Sequence, residues 1–375
     1  MIDIPGFRVM EILARARALE ALGRSVIHLE IGEPDFPTPA AIVRAGIEAL
    51  EAGRTHYTET AGLPALRAAI ARHYAPVAVD PGRVLVTPGA SGALQLLFAA
   101  LIGAGDEVLL ADPGYPCYRH LARLFGGNAR LIPVEAATAY QLTAESIERH
   151  WTPATRAVLL ATPSNPTGTV TGDAELGAIV ATVERLGGAL IVDEIYRGLT
   201  YDIATRSALA HSGRVFVVNS FSKYYGMTGW RLGWLVAPAE AFAPLERLAQ
   251  NLFLAPSTPA QYAALAAFTP AVAAVHEQRR AILQERRDYL LPALRALGFD
   301  IPITPQGAFY LYADCRRFTA DSQAFAGVLL EECGVAVTPG LDFGEHRARR
   351  HLRFSYANGL DNLAEAVRRL RARLG

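Results

Sequence analysis

Short apolar stretches alternate with amphipathic stretches along the chain from residue 83 onward. RVLVT (83–87), EVLLAD (107–112), RAVLLAT (156–162), ALIVD (189–193) and VFVVNS (215–220) are apolar at successive positions, so both faces of each strand would be buried. The stretches between them repeat apolar residues with the period of a helix. This alternation predicts an α/β fold in which helices sandwich a mostly parallel sheet.

The pattern changes after GWLVAP (233–238), the last strand-like stretch of this series. Residues 271–297 are charged and amphipathic, which predicts one long helix that links two units. The stretches that follow predict a smaller α+β unit: AFYLYAD (308–314), a helix around 322–333, VAVTP (335–339), HLRFSYA (351–357) and a closing helix, LDNLAEAVRRLRARL (360–374). We therefore expect a large domain over 40–270 and a small domain made of 1–39 with 271–375.

Composition excludes several classes of partner. The chain has 375 residues and a formal net charge of zero, which argues against a nucleic-acid-binding surface. No apolar run reaches the length of about 18 residues that a membrane span needs. The N-terminal stretch has charges throughout and lacks the apolar core of a signal peptide. We expect a cytoplasmic protein with neither nucleic acid nor membrane as a partner.

The cysteines and histidines predict neither disulfides nor a metal site. Cys117, Cys315 and Cys333 are odd in number and far apart, and the nine histidines show no ligand spacing. One lysine, Lys223, stands among 36 Lys and Arg residues. Arginine can replace lysine where only charge is needed, but a guanidinium does not act as a primary amine nucleophile. Lys223 is either a catalytic amine or a surface lysine that remains by chance in a sequence biased towards arginine.

A lysine that forms a Schiff base needs an aldehyde partner, and pyridoxal 5′-phosphate is the commonest aldehyde that proteins bind. This cofactor needs phosphate donors, an acidic partner for its pyridine nitrogen and a flat group against its ring. VTPGASGALQLL (86–97) predicts the first, because Ser91 opens a helix whose free N–H groups favour an anion, and Arg231 could add charge. By itself, such a stretch is more commonly an ordinary capped turn between a strand and a helix.

The ends of two other predicted strands offer candidates for the acidic partner and for the flat group against the ring. Asp193 ends the apolar strand ALIVD, where a cationic ring would compensate its buried charge. Tyr196 follows three residues later and could bond the phenolic oxygen of the ring. Tyr115, in ADPGYPCY (111–118), is a candidate for the ring face. Taken singly, Asp193 could instead cap the next element and Tyr115 could pack in a turn.

Together these stretches closely resemble the fold-type I pyridoxal-phosphate enzymes, specifically the class I/II aminotransferases of the aspartate aminotransferase superfamily. Eight stretches carry the match in the order of the family: IGEPDFPTP (31–39), HYTETAGLPALRAAI (56–70), VTPGASGAL (86–94), DPGYPCY (112–118), PSNPTG (163–168), DEIY (193–196), SFSKYYGMTGWRLGW (220–234) and LRFSYA (352–357). Each stretch is moderately specific, and eight in register span nearly the whole chain.

The resemblance implies a role for each matching residue. Lys223 looks like the Schiff-base lysine that also shuttles the proton, and Asp193 like the carboxylate that keeps the pyridine nitrogen protonated. Tyr196 and Asn165 resemble the pair that bonds the phenolic oxygen, with Asn165 also near the substrate carboxylate and the Asn165–Pro166 bond a candidate cis peptide. Tyr115 would stack on the ring. The residues implied as phosphate ligands are Ala90, Ser91, Ser220, Ser222 and Arg231.

The resemblance also implies a substrate grip and a partner subunit. Arg353 matches the arginine that binds the substrate α-carboxylate, and the strand alternation of HLRFSYA would turn it towards the cleft. Gly32 would bring backbone close to the same substrate. Tyr57 matches a tyrosine that reaches the phosphate of the neighbouring subunit, which implies a homodimer with shared active sites.

The sequence departs from the aspartate-specific branch at one place. Enzymes of that branch commonly have a cationic residue in the phosphate-loop segment, where this chain has Ser91 and Gly92. A dicarboxylic substrate is therefore not supported, although another arginine could serve, and glutamate stays open as the amino donor.

The function expected is ping-pong transamination between an α-amino acid and a 2-oxo acid. One alternative is a C–S lyase or another β-eliminating enzyme of the same fold, because such enzymes share the Lys, Asp and Arg. A second is a non-enzymatic effector-sensing domain that binds the cofactor. Domains of that kind follow a DNA-binding winged helix, and the match beginning near residue 30 leaves no room for one.

Overall fold

The computed structural model describes residues 4–375, which form twelve strands and twelve α-helices within that range. The first elements, up to the phosphate-loop segment, are α1 (Arg8–Ala21), β1 (Ile27–His28), α2 (Ala40–Glu51), α3 (Pro64–His73), β2 (Val84–Thr87) and α4 (Gly89–Leu101). The alternating part continues with β3 (Glu107–Asp112), α5 (Pro116–Leu124), β4 (Asn128–Pro133), α6 (Ala144–His150), β5 (Thr155–Ala161), α7 (Asp173–Arg185), β6 (Ala189–Asp193), β7 (Phe216–Ser220) and β8 (Gly233–Val236). The remaining elements are α8 (Ala239–Leu252), α9 (Thr258–Leu265), α10 (Pro270–Leu297), β9 (Tyr310–Asp314), α11 (Ser322–Cys333), β10 (Val335–Ala336), β11 (Thr338–Pro339), β12 (His351–Ser355) and α12 (Leu360–Leu374).

The large sheet has seven strands in the order β2-β8-β7-β6-β5-β3-β4. All neighbouring pairs run parallel except those of β8, which is antiparallel to both β2 and β7. The prediction of a mostly parallel sheet is confirmed, with one reversed strand. The strand pattern had not indicated β4, because this strand lies at the edge of the sheet and is only partly buried.

The second sheet has three antiparallel strands in the order β11-β12-β9. The stretch VAVTP, expected as part of the small α+β unit, contains two short strands. Its first half, β10, pairs in parallel with β1, while its second half, β11, pairs with β12. The chain therefore changes pairing partners at Val337. The long helix expected over 271–297 is α10, which ends at Leu297 and is followed by Gly298 with a left-handed φ of 103°.

Buried apolar side chains form three clusters. Two of the clusters lie on opposite faces of the large sheet. Along β2, Val84 and Val86 pack into one of them and Leu85 packs into the other. The third cluster packs the small sheet against α10, α11 and α12. The carboxyl ends of β5, β6 and β7 are left facing the small sheet. Among residues 4–375, no helix is long and apolar enough to cross a membrane.

Candidate active site

A cavity of about 450 Å³ lies where the carboxyl ends of the large sheet face the small sheet. Asp193 is the last residue of β6, Ser220 is the last residue of β7, and Lys223 follows on the loop after β7. Arg353 enters from β12 on the opposite wall. Loops and strand ends from both sheets thus bring these four residues to one cavity, as expected at the carboxyl edge of an α/β sheet.

Lys223 lies half-buried in the cavity wall. Its Nζ donates a hydrogen bond to the carbonyl oxygen of Gly32 at 2.5 Å. Burial lowers the pKa of Lys223 to about 8, with Arg353 and Arg231 lowering it further and Glu33 opposing them. Near neutral pH this lysine therefore loses its proton more readily than an ordinary lysine does.

Asp193 is buried and accepts two hydrogen bonds. Its Oδ2 accepts from the Tyr118 hydroxyl at 2.7 Å, and its Oδ1 accepts from the Ile195 backbone N–H at 3.0 Å. Burial raises the pKa of Asp193 to about 6, against the lowering effect of these bonds and of Lys223. Above this pH the carboxylate is ionised with no ion pair to any described residue. A cation that entered the cavity beside it would compensate its charge.

Tyr118 is a site residue that the sequence interpretation missed. It lies on the first turn of α5, three residues after Tyr115, which is the extended residue just before this helix. The two rings pack edge to face with their centres 5.4 Å apart. The spacing i, i+3 in YPCY was the available signal, but nothing in the sequence indicated that the hydroxyl of Tyr118 would bond Asp193.

Arg353 is buried and held on several sides. Its Nη1 donates to Asn165 Oδ1 at 3.0 Å, and its Nη2 donates to Thr338 Oγ1 at 3.2 Å and to the carbonyl oxygen of Glu30. Its guanidinium lies 4.4 Å from the ring centre of Tyr310. The Nε atom is buried and has no hydrogen-bond partner among the described residues. Arg353 is thus a cation fixed at the cavity wall, and its Nε–H can still donate a hydrogen bond.

Asn165 and Tyr196 also line the cavity. The Asn165–Pro166 peptide bond is cis, as predicted. The Tyr196 hydroxyl shares a hydrogen bond of 2.8 Å with the Tyr310 hydroxyl, a partner that the sequence did not indicate. A Cβ at Gly32 would lie 2.7 Å from the Tyr310 hydroxyl, so this close approach of the backbone requires glycine.

The predicted phosphate site lies at the start of α4. This helix begins at Gly89, two residues before the expected start at Ser91, because Gly89 itself forms the turn that leads from β2 into the helix, with a left-handed φ of 70°. Ala90 and Ser91 then occupy the first turn, whose N–H groups have no partner within the helix. A Cβ at Gly89 would lie 2.7 Å from Arg231 Nη2, and one at Gly233 would lie 2.7 Å from Ala90 N. Both glycines keep this corner open.

The remaining predicted phosphate ligands, Ser220, Ser222 and Arg231, line the cavity, whereas Tyr57 does not. Ser220 Oγ donates to Ser222 Oγ at 2.9 Å, and both line the cavity with Arg231. Arg231 is exposed, adopts a left-handed φ of 52° and donates through Nη1 to the Thr228 carbonyl at 2.9 Å. Tyr57 is 83% exposed and does not line the cavity of its own chain.

The sequence pattern of the family described as aminotransferase class I and II matches residues 24–370. The chain belongs to the class I and II aminotransferases. It is 39% identical to valine–pyruvate aminotransferase of Mycobacterium tuberculosis over 98% of this chain and 96% of that protein. It is 35% identical to aspartate aminotransferase of Geobacillus stearothermophilus over 96% of this chain and 94% of that protein. The crystal structure of an aminotransferase from Mycobacterium tuberculosis matches with a TM-score of 0.96 at 39% identity, covering 99% of this chain and 97% of that one.

This aminotransferase transfers amino groups between amino acids and 2-oxo acids and depends on pyridoxal phosphate. Its cavity fits that cofactor on three observations: an amine of lowered pKa at Lys223, a buried carboxylate without a cation at Asp193, and a helix start kept open by Gly89. The named relatives do not favour an eliminating enzyme or an effector-sensing domain. Residues 4–375 contain no cluster of His, Cys, Asp and Glu that could hold a metal ion.

Proposed function

We propose that Lys223 is the amine that holds the cofactor and moves the substrate proton during transamination. The carrying observation is the position of the single lysine of the chain, half-buried in the cavity with a pKa lowered to about 8. Bound pyridoxal phosphate supplies an aldehyde that carries the amino group and a ring that takes up the electrons released at the substrate Cα. Lys223 Nζ accepts the Cα proton, which a neutral amine does and a guanidinium does not.

The other cavity residues would hold the cofactor. The carboxylate of Asp193 would keep a proton on the ring nitrogen, and Tyr118 would orient that carboxylate. Tyr115 would cover the ring, while Asn165 and Tyr196 would bond its phenolic oxygen. The phosphate would be held by Ala90 and Ser91 at the helix start and by Ser220, Ser222 and Arg231.

The substrate carboxylate would bind at Arg353. A planar guanidinium can take both oxygens of a carboxylate, and the bonds to Asn165 and Thr338 fix its orientation. The carbonyl of Gly32, which accepts from Lys223 Nζ, places this backbone beside the amine. Arg353 would therefore present the substrate Cα to Lys223.

Exchange of Lys223 for arginine tests the proposal. Lys223→Arg keeps the charge and removes the amine, so we expect transamination of a panel of amino acids with 2-oxoglutarate or pyruvate to disappear. Arg280→Lys is the matched control, because it makes the opposite exchange on α10 outside the cavity and should keep full activity. Retained activity in Lys223→Arg would contradict the proposal, since no other lysine exists to replace it. Release of ammonia without a 2-oxo acceptor would instead favour the eliminating alternative.

We further propose a homodimer in which Tyr57 of one subunit reaches the phosphate of the other. Val43, Ile47 and Leu50 form a stripe along α2 and are 37%, 50% and 56% exposed, which is costly for a free surface. Ile47→Glu should convert the dimer to monomers in sedimentation and reduce activity with it. Leu22→Glu, at an exposed position after α1, should leave both unchanged. A fully active monomer would refute shared sites.

The division into two domains, 40–270 and the N-terminal segment with 271–375, also stays a proposal. It is supported by the pairing of β1 with β10 and by the separate three-stranded sheet. We propose the cytoplasm as the location, where the three free cysteines would stay reduced. Limited proteolysis that cuts near residues 39 and 270 would support the domain boundaries.

A further inference from the structure

The outer wall of the cavity is apolar and has no role in the chemistry described above. Phe7, Val9 and Leu13 come from the start of α1, Ile31 comes from the segment after β1, and Phe343 comes from the loop before β12. Phe343 is buried and lies 4.9 Å from the Arg353 guanidinium, measured to its ring centre. The apolar wall, defined by these five residues, therefore adjoins the group that would hold the substrate carboxylate. The side chain of a bound amino acid would meet this wall.

Among residues 4–375, three cationic side chains line the cavity, and each already has an interaction with the protein. Lys223 bonds the Gly32 carbonyl, Arg231 lies against the start of α4, and Arg353 bonds Asn165 and Thr338. None of them faces the apolar wall as a spare partner. Arg8 and Arg119 lie near the wall without lining the cavity; Arg8 donates to Gln323 and Arg119 donates to the carbonyl oxygen of Asp342. Among the described residues, the cavity lining therefore offers a second substrate carboxylate no further cation in exchange for its water.

The two acidic side chains near the wall are also bonded. Asp342 is buried, and its carboxylate accepts from the backbone N–H of Arg8 at 2.7 Å and of Val9 at 2.9 Å. These are the first N–H groups of α1, so Asp342 joins the start of this helix to the loop that carries Phe343. Glu33 is exposed and accepts a hydrogen bond from Thr228 Oγ1. Both oxygens of Asp342 are thus engaged by α1, and Glu33 is an exposed carboxylate bonded to Thr228 rather than a buried partner for a cationic substrate side chain.

We propose that the apolar wall selects amino acids with an uncharged, apolar side chain, and that Asp342 positions the wall by holding the start of α1. This inference rests on the proposed function, because it takes Arg353 as the carboxylate grip. Each methylene group that leaves water against the wall should favour binding by about fourfold. Leucine, with three more carbons than alanine, should then be preferred by roughly 50-fold in kcat/KM.

Binding of unreactive carboxylates tests the wall without any turnover. Calorimetric titration of the holoenzyme would compare 4-methylvalerate, succinate and 5-aminovalerate, which have apolar, anionic and cationic tails. We expect 4-methylvalerate to bind at least about tenfold more tightly than either of the others. Equal or tighter binding of succinate or of 5-aminovalerate would overturn the proposal in favour of a charged side chain.

Variants of the wall test which residues carry the preference. The double variant Phe7→Ala/Val9→Ala should lower kcat/KM for leucine about 5- to 20-fold and change it for alanine by less than about twofold. Leu22→Ala, at an exposed position just after α1, is the control and should change neither. Should the double variant not fold, Val9→Thr keeps the shape and adds a hydroxyl to the wall, with the same direction expected. An equal fall for both amino acids would refute a role in selection.

Asp342→Asn tests the positioning role. An asparagine keeps the shape but offers one acceptor oxygen to the two N–H groups. We expect KM for leucine to rise several-fold with kcat unchanged and with alanine unaffected. A fall in kcat for both amino acids would refute positioning of the wall. An enzyme that converts alanine but prefers aspartate would overturn this inference alone, whereas one that converts no amino acid would overturn the proposed function.

Discussion

The inner and outer halves of the active-site cavity have walls of opposite character. The inner half is polar: Lys223, Asp193 and Arg353 each have a fixed hydrogen-bond partner, and burial shifts the pKa of the first two. The outer half is apolar, and Phe7 and Val9 are partly exposed. Polar groups act through direction and charge and must be held, whereas an apolar wall acts through area and shape. Changes in the inner half should therefore affect every amino acid, and changes in the outer half only those with large side chains.

The largest effect is expected from Lys223→Ala. Removing the amine should lower transamination by about 10⁴-fold or more, and by the same factor for alanine and leucine, because the lost step is common to both. Added methylamine should restore part of the activity, since it brings back an amine of small size. Restored activity with one amino acid but not with the other would show that Lys223 also takes part in substrate selection.

A smaller loss is expected from Arg353→Gln. Without the guanidinium, kcat/KM should fall about 10²-fold or more for every amino acid, mostly through KM, because a buried charge partner of the carboxylate is missing. Arg349→Gln, at an exposed position near β12, is the control and should change nothing. A loss confined to leucine would place Arg353 in the outer half and break the comparison.

Tyr118→Phe should have a moderate effect that depends on pH. The Tyr118 hydroxyl favours the ionised form of Asp193, so its removal should raise the pKa of Asp193 above its value of about 6. As pH falls, Asp193 would then become protonated at a higher pH in the variant than in the parent enzyme. Binding of pyridoxal phosphate to the cofactor-free protein should weaken about 3- to 10-fold near pH 6, with the difference shrinking at pH 8. Tyr289→Phe, on α10, is the control. A drop of equal size at both pH values would contradict the link to Asp193.

The smallest effect concerns stability outside the cavity. His28 Nδ1 bonds Glu30 Oε1 at 2.7 Å and its Nε2 bonds Glu20 Oε1 at 3.1 Å, which ties the end of α1 to β1. The bond to Glu30 raises the pKa of His28 to about 9. Because the pKa of His28 is higher folded than unfolded, its stabilisation is complete below about pH 6.5 and disappears as pH rises through 9.

His28→Gln should therefore lower the free energy of unfolding by about 1 kcal/mol at pH 6 and by little at pH 10. Urea denaturation at the two pH values measures this difference. Activity on alanine should not change. A loss of stability that grows with pH would contradict the assignment of a protonated His28.

The strand pattern and the single lysine predicted much of the inner half. Asp193 ends β6 and Lys223 follows β7 because apolar runs buried on both faces mark central strands, and their ends are then easy to locate. The edge strand β4 and the reversed strand β8 were harder to predict, since partial burial weakens the pattern and strand direction is set by the chain path.

The outer half could not be predicted, because its contacts join distant parts of the chain. Asp342 lies 334 residues from Arg8, whose N–H it accepts, and no local spacing indicates that pairing. In the inner half, the bond between Tyr118 and Asp193 was missed for the same reason, since the two residues are 75 positions apart. Local patterns indicate which residues end a strand, whereas partners across the cavity depend on how the two sheets pack.

The most direct test of the central claim is to find which residue carries the cofactor. Reduction of the holoenzyme with borohydride, followed by digestion and mass spectrometry, should place the reduced cofactor on the peptide that contains Lys223 and leave Lys223→Arg unlabelled. Cofactor fixed to any other peptide, or retained covalently by Lys223→Arg, would contradict the account.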